Sequence, residues 1–583
     1  MPQITIDDKQ CTFDEGQTIL QVANANDIEI PQYCYHDGLS IVASCRICLA
    51  EVWAPNPRNT DAEGKPKLEP IPKLLPTCQT PAAEGQVVYT TSPKAIANQK
   101  AVMEYLLINH PLDCPVCDQS GECFLQDYSY EYGRGVSRFE EAKVKQPKKN
   151  LGTHVLLYAD RCIMCSRCVR FTREVTGTSE LIVQGRGNQE QIDIFPGMAL
   201  ENELSANVID LCPVGALLDK DFLFTQRVWF LNTTPSIDGI TAQGDNIFIE
   251  HNKGQVWRIK PRENMQVNKW WISDEIRYGY KFVHDESRIT QPRDRAHNRQ
   301  RQADWGRAYR ETLRLTTPET RNNKPIALML SPMLTCEDAY LLASAVRDID
   351  PDATIALGPV PIHGEDKPFP GGYTVRAEKA PNARGVRRVI QAITGSTPNE
   401  YNDLLPRLNA SEFGAFICTG NYPSEWVTQE LESAAENTPT IVIDTLPNRL
   451  TNNAEVFLPA ATWVEKAGTF ENIDNRLQAF EQAIPTIGLS RSEAQIGLDL
   501  IAIIAGDATP GEVPETTRFY PDAAPGQVPV AMEIATPIGE RYNPANTRQQ
   551  MAATHPELEP LTTDTQTPAQ TQQRQSDMAT AEF

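Results

Sequence analysis

Arg161-Cys-Ile-Met-Cys-Ser-Arg-Cys-Val-Arg-Phe171 sets cysteines at 162, 165 and 168, each separated by two residues. A run this tight wraps three corners of a cubane and holds the intervening amides near its sulfides. In such sites the fourth corner comes from a distant cysteine followed by proline, and Cys212-Pro213 supplies one. Two-cluster bacterial ferredoxins lend the fourth cysteine of each run to the other cluster. No second run of that type exists here, so Cys212 closes the same centre. Zinc sites use two well-separated ligand pairs, so Cys162, Cys165, Cys168 and Cys212 point to a 4Fe–4S cluster.

Working outward, twelve of the fourteen cysteines fall within the first 212 residues, and two further groups precede the first. His110-x3-Cys114-x2-Cys117-x5-Cys123 offers one imidazole and three thiols. Exchanging a thiolate for neutral histidine removes a negative charge from a cluster and tends to raise its potential. The alternative is a zinc site of the same donors, or a histidine that merely ends a helix. Cys34-x10-Cys45-x2-Cys48-x29-Cys78 is similar to a plant-type 2Fe–2S spacing, with a wider first gap and a distant fourth ligand. His36 invites a Rieske reading, but Cys45-Arg-Ile-Cys48 brings no second histidine, so His36 reads as a loop residue. Cys11 has no partner at ligand spacing and reads as a strand residue, while Cys336 and Cys418 sit in apolar segments and read as core.

At 583 residues the chain exceeds one domain of roughly 100–200 residues. A formal charge of -22 argues against nucleic acid, whose binders concentrate positive charge. No apolar run reaches the ~18 residues of a membrane span. The opening Met-Pro-Gln-Ile lacks a charged n-region or an amphipathic leader, so an untargeted bacterial cytoplasmic protein is expected, touching a membrane only through partners. In that reducing compartment clustered cysteines read as metal ligands rather than disulfides.

The opening predicts strand, turn, strand and a short helix near 18–26. Ala54 to Pro72, rich in proline and charge, reads as an exposed loop. A helix is predicted over Lys94–Asn109, ended by His110-Pro111, with Ile96, Val102, Met103, Leu106 and Leu107 near one face. Phe248, Ile249, Val256 and Ile259, with a turn at Asn252-Lys-Gly254, predict a small antiparallel unit. Apolar runs at Ile326–Leu330, Thr354–Leu357, Ala415–Cys418 and Thr440–Ile443 alternate with helical stretches such as Cys336–Asp348 and predict α/β structure. Leu498–Ala505 reads as a buried strand or short helix. The arginine-rich stretch from Arg288 to Arg314 reads as a docking site for an acidic partner or as a solvated face. The segment 507–583, rich in Pro, Thr, Gln and Ala, is expected to be largely disordered.

Asn109-His-Pro-Leu-Asp-Cys-Pro-Val-Cys-Asp-Gln-Ser-Gly-Glu-Cys123, the 161–171 run and Ile209-Asp-Leu-Cys-Pro-Val-Gly-Ala-Leu217 closely resemble the family of the large iron–sulfur subunit of NADH–quinone oxidoreductase, respiratory complex I. Pro235-Ser-Ile-Asp-Gly and Trp271–Tyr278 extend the likeness, which is strong over 3–292 and weaker to Ala505. The resemblance implies a multidomain α+β and α/β chain. Its parts would be a 2Fe–2S ferredoxin-like β-grasp domain (1–92), a 4Fe–4S domain with one His and three Cys ligands (93–145) and an all-cysteine ferredoxin-like 4Fe–4S domain (146–226). A small β unit lacking cysteines (227–290), a molybdopterin-oxidoreductase-like α/β region (291–506) and the tail (507–583) would follow. By motif, one 2Fe–2S cluster falls to Cys34, Cys45, Cys48 and Cys78. Two 4Fe–4S clusters fall to His110, Cys114, Cys117 and Cys123, and to Cys162, Cys165, Cys168 and Cys212.

Ala454 to Gln478 looks like part of the molybdopterin oxidoreductase superfamily, whose enzymes carry a further cysteine quartet. Thr233 to Asn246 holds no cysteine, so no fourth cluster and no molybdopterin is expected. No Gly-x-Gly-x-x-Gly follows a predicted strand, so neither an NADH nor a flavin site is evident and no catalytic residue is assigned. The implied role is a peripheral-arm subunit on the cytoplasmic side of the bacterial inner membrane, active only within an oxidoreductase and translocase complex. It would relay single electrons from an FMN- and NADH-binding flavoprotein partner, with other peripheral-arm iron–sulfur subunits, toward quinone. A diaphorase-type subunit of a NAD-linked hydrogenase or formate dehydrogenase is the alternative.

Overall fold

Ile4 and Ile6 alternate with less buried neighbours and form the strand Gln3–Ile6, whose apolar face is wholly covered. The computed structural model describes residues 1–297, 299–510, 516–519 and 532–568, with 188, 516–519 and 532–534 known by backbone alone. The residues divide into two compact units. One is Met1–Trp229 with Phe369–Tyr373, and the other is Phe230–Pro368 with the described residues from Thr374 onward.

In the first unit, Gln3–Ile6 pairs antiparallel with Lys9–Thr12 and parallel with Val87–Tyr89, which in turn pairs with the long strand Leu49–Thr60. Helix Ile19–Ala25 packs Ile19, Leu20 and Val22 into the core with Ile4, Ile6, Val52 and Val88. It starts at a capping box in which Thr18 and Gln21 satisfy each other's backbone N–H groups. The expected loop over Ala54–Pro72 is instead a hairpin: Leu49–Thr60 turns at Asp61 and returns as Pro66–Pro70. Asp61 closes the turn by accepting from the amides of Glu63 and Lys65, each at 2.9 Å. The prolines that suggest a loop sit in an exposed edge ribbon, where a missing N–H costs little.

Helix Pro93–Leu107 follows, capped by Ser92 with proline at its first position. It buries Ala95, Gln99 and Met103, while Ile96 stays exposed. Beyond it the chain is mostly loop, punctuated by helix Phe124–Tyr132, a three-stranded antiparallel sheet of Lys148–Asn150, Val155–Tyr158 and Leu217–Asp219, and the hairpin Leu181–Gln184 with Gln191–Ile194.

The second unit opens with the predicted antiparallel unit, Asn232–Ile237, Asn246–Asn252 and Gln255–Pro261. Lys253 and Gly254 both take positive φ, the signature of a tight two-residue hairpin turn. All four apolar runs become parallel strands of one seven-stranded sheet, ordered Arg299–Gln302, Arg293–Ala296, Val456–Pro459, Thr440–Asp444, Ala415–Thr419, Ile326–Leu330, Thr354–Leu357. Helix Cys336–Ile349 occupies the predicted span and begins at a Thr335–Asp338 capping box. Leu498–Ala505 belongs to helix Glu493–Ala505. Cys336 and Cys418 are core residues.

Two expectations are corrected here. The arginines of 288–314 are largely engaged internally: Arg288 with Glu465 at 2.5 Å, Arg301 and Arg307 both with Asp294 at 2.7 Å, and Arg314 with Glu311 at 2.6 Å. Paired charge of this kind offers little to an acidic partner, and the solvated-face alternative holds for Arg301, Arg307 and Arg314, whose side chains stay exposed. The expected disorder over 507–583 fails for its middle section, where Pro544–Thr554 is helical and Met551, Leu558 and Leu561 fill the main apolar core. Three well-spaced apolar side chains were enough, because helices Cys336–Ile349 and Ala383–Thr394 already present a face to cover. Residues 511–515, 520–531 and 569–583 lie outside the described residues. Leu558→Ala is therefore expected to destabilise the second unit by about 2–5 kcal/mol, read as a lowered urea midpoint at unchanged slope; a disordered segment would leave the midpoint where it was.

Candidate iron–sulfur sites

The first cysteine group sits where two chain segments leave and re-enter the N-terminal sheet. Leu49 and Ala50 pair with Pro76 and Leu75, so the residues just after Cys48 lie beside those just before Cys78. Thr77 tightens this: its N–H and hydroxyl both donate to the Cys48 carbonyl, at 3.2 and 3.0 Å. The 29-residue gap is thus filled by the hairpin and the return strand, and Cys78 is brought against Cys48. Cys34 and Cys45 approach to 3.4 Å between sulfurs. Cys34, Cys48 and Cys78 are buried.

Crowded thiols share protons. The hydrogen bond shared with Cys45 pulls the Cys34 thiol down to about 5, while the same contact and burial push Cys45 up. Cys48, bonded by Cys78, is drawn down to about 7, and Cys78 is pushed up. Ala43 and Arg46 adopt left-handed φ of 50° and 58° around Cys45. Such a conformation costs a residue with a Cβ about 1–2 kcal/mol, so the surrounding loop imposes it.

In the second group, His110 follows the helix Pro93–Leu107, whose end is held by the Lys143 ammonium donating to the Leu107 and Ile108 carbonyls at 2.7 and 2.9 Å. Burial, helped by the nearby Arg161 and Lys143 cations, lowers the imidazole to about 4, so it is neutral at pH 7 as a metal ligand must be. Cys117 and Cys123 are buried and Cys114 is exposed. Burial raises the Cys117 thiol and takes that of Cys123 to about 12.

The four sulfur-bearing residues of the third group line one cavity with the apolar residues Leu157, Ile163, Ile192, Val214, Ala216 and Leu217. Met164 and Ser166, between the cysteines, both take left-handed φ (55° and 59°). The Met164 amide points at the Cys162 sulfur, 3.4 Å away. Cys212 accepts from the amides of Val214, Leu217 and Ala216, yet burial still carries its thiol to about 11. Buried thiols resist ionisation unless a cation compensates them, which the iron of a cluster does. The donor sets fit the expected clusters: four thiolates, three thiolates with a neutral imidazole, and four thiolates in an apolar, amide-lined cavity. Among the described residues no three such side chains converge as on a single ion.

The structure also relates the groups to one another. A Cβ on Gly215 would lie 2.2 Å from the Cys117 sulfur, so the loop after Cys212 is in contact with the second group. On the other side, Arg170 donates to the carbonyls of Cys34, Ser40 and Cys165, and Arg167 to those of Tyr35 and Leu211. The third group therefore stands between the other two. Arg161, 2% exposed, donates to Asp113 at 3.0 Å and to the Gly215 carbonyl at 3.4 Å, and stacks on the Tyr158 ring at 4.0 Å. Motif reading missed Gly215 and these arginines; the one hint was that all three arginines sit inside or beside a cysteine run.

In the second unit, open α/β sheets receive ligands outside the carboxyl ends of their strands, where the strand order reverses. Here that place, between Ile326–Leu330 and Ala415–Thr419, is taken by protein groups. Asn421 bonds to the Ala461 carbonyl and to Glu493, and Lys466 pairs with Asp338 and Glu493 at 2.8 and 2.6 Å. A Cβ on Gly420 would lie 2.0 Å from the Asp444 carboxylate. These residues do not fit a pterin.

Family models match in succession along the chain. They are a 2Fe-2S iron-sulfur cluster binding domain (2–93), the NADH-ubiquinone oxidoreductase-G iron-sulfur binding region (99–138) and the ferredoxin-like domain of NADH-quinone oxidoreductase subunit 3 (152–218). An NDSU1/NuoG-like 4Fe-4S domain (231–281) and molybdopterin oxidoreductase (379–502) follow. The mitochondrial 78 kDa subunit of NADH-ubiquinone oxidoreductase from Neurospora crassa is 41% identical over 311 residues, 53% of this chain and 40% of that protein. The G-type subunit of NADH-quinone oxidoreductase from Rickettsia felis is 35% identical over 351 residues, 60% of this chain and 49% of that one. Over 60% of its length the chain is similar to the G-type subunit of NADH-quinone oxidoreductase.

The 75 kDa subunit from Reclinomonas americana is 37% identical over 349 residues, 60% of this chain and 48% of that protein. The matched stretch thus spans about half the length of these curated relatives. A solved NAD+-reducing [NiFe]-hydrogenase chain is 27% identical over 39% of this chain and 91% of that one, at a TM-score of 0.33 that carries no weight for the fold. The stretch matching the NDSU1/NuoG-like 4Fe-4S model contains no cysteine.

Two outcomes are expected from this geometry. Gly215→Ala should cost the second site its iron while the first and third keep theirs, read as selective loss of one EPR signal. His110, held below its unfolded value near 6.5, favours the fold above that pH, and the benefit is lost as pH falls toward 4. The metal-free chain should therefore lose stability across pH 6.5 to 4, and His110→Asn should flatten that slope in thermal melts.

Proposed function

We propose that this chain is an iron–sulfur electron relay of an NADH-quinone oxidoreductase. Cys34, Cys45, Cys48 and Cys78 would hold a 2Fe–2S cluster. His110, Cys114, Cys117 and Cys123 would hold one 4Fe–4S cluster, and Cys162, Cys165, Cys168 and Cys212 another. Bound there, such clusters accept and pass on one electron at a time. The observation that carries the reading is the third group: four cysteines around one apolar cavity, in contact with the first group through Arg167 and Arg170 and with the second through Gly215.

The protein's own part is to bury the sulfurs, aim amides at them and hold the loops at fixed separation. Such a relay requires no acid–base chemistry of its side chains. Electrons would come from an FMN- and NADH-binding flavoprotein and leave toward quinone through other peripheral-arm iron–sulfur subunits, the whole complex coupling the transfer to proton translocation. Among the described residues no helix is long and apolar enough to cross a membrane. Attachment at the cytoplasmic face of a bacterial inner membrane would run through partner subunits. The second unit is read as a scaffold without molybdopterin, in keeping with its filled crevice.

The test is iron, acid-labile sulfide and EPR on the full chain purified without oxygen and reduced with dithionite. One 2Fe–2S and two 4Fe–4S signals are expected. A colourless protein holding zinc and no sulfide would overturn the reading.

A further inference from the structure

Arg167 and Arg170 are 6% and 3% exposed, and among the described residues neither forms an ion pair. Arg161, Arg288 and Arg491 are as deeply buried, yet each is paired with a carboxylate: Asp113, Glu465 and Asp499. A buried charge without a counter-charge is costly, and native proteins rarely keep one. Glu174 supplies part of that charge to Arg170 without forming an ion pair with it, and Arg167 has no carboxylate partner among the described residues, so both guanidiniums are placed to take up further negative charge.

Their hydrogen bonds say where that charge would lie. Arg170 donates to the carbonyls of Cys34 and Cys165, one residue from the first group and one from the third, and also to Ser40. Arg167 donates to the carbonyl of Tyr35, next to Cys34, and at 3.3 Å to that of Leu211, next to Cys212. Both Nε–H groups are buried with no acceptor. Each cation thus spans the same two ligand loops, with donor capacity left over.

We propose that Arg167 and Arg170 are positioning residues that act as a shared counter-charge between the first and third cysteine groups, raising the reduction potential of both centres relative to the second. The inference rests on the cluster reading above. A fixed cation favours whichever state carries more negative charge, and gaining one electron adds one such charge to a centre without making or breaking a bond. Arginine suits the task because it stays ionised when buried and its planar fork reaches several carbonyls at once. Arg161 gives the internal contrast, since beside the second group Asp113 pairs with it and offsets part of its charge.

Redox titration of the full chain, followed by the EPR signals of its three centres, tests the proposal. Arg170→Gln and Arg167→Gln should each lower the midpoints of the first and third centres and leave the second unmoved. Arg170→Lys, which keeps the charge and loses the fork, should restore most of the shift. Glu174 supplies the opposite sign: its carboxylate holds the Ser40 amide and hydroxyl at 2.9 and 2.6 Å, on the loop that Arg170 also grips. Glu174→Gln should raise the same two midpoints.

Unmoved midpoints in assembled Gln variants would overturn the inference, as would an equal fall of all three. Should the Gln variants fail to take up iron, Glu174→Gln decides alone, and no upward shift there overturns it. A wild-type chain lacking acid-labile sulfide would instead sink the cluster reading itself.

Discussion

Three arginine side chains, at 161, 167 and 170, are buried among cysteine loops that have little regular secondary structure to hold them. Between them they donate to carbonyls of Cys34, Tyr35, Ser40, Cys165, Leu211 and Gly215 and to the Asp113 carboxylate. Loops cannot bury their backbone unless each carbonyl finds a donor. The guanidinium fork meets several at once, so a few side chains suffice where a helix or sheet would need many residues. That bonding gives the three ligand sets a common frame, together with the Glu174 contacts to Ser40 and the Phe124 amide donating to the Pro213 carbonyl.

The same loops explain how thiols are made ready for metal. Burial alone raises Cys117, Cys123, Cys165, Cys168 and Cys212, which is the wrong direction for a ligand that must be a thiolate. Amides aimed at sulfur, with the Arg161 cation near Cys117 and those of Arg167 and Arg170 near Cys165, work against that cost without cancelling it. Metal supplies the remainder, so folding of these loops and uptake of metal are coupled. His110 needs no such help, since burial and neighbouring cations favour its neutral, ligating form.

The second unit obeys different physics. Its central parallel strands are buried throughout and mostly apolar, as strands covered on both faces are. Charge inside is held in closed sets such as Lys466 with Asp338 and Glu493, each at most 2% exposed. Where a doubly wound sheet would admit a ligand, this set and Asn421 stand instead.

Spacing along the chain was enough to read the cysteine groups, because ligands of one centre recur at short intervals dictated by the size of what they hold. Periodicity likewise exposed the parallel strands at 326, 354, 415 and 440, whose unbroken apolar runs have no other stable use. The outer part of the hairpin, over 54–70, and the helices at 544–563 escaped that reading. A proline-bearing edge ribbon and a polar segment with three apolar contacts look like loop until the surface they cover is known. Only the fold could bring Cys78 against Cys48 across 29 residues, set the third group between the others, and turn two arginines into a bridge. Those relations depend on segments distant in sequence meeting in space, and local chemistry carries no record of that.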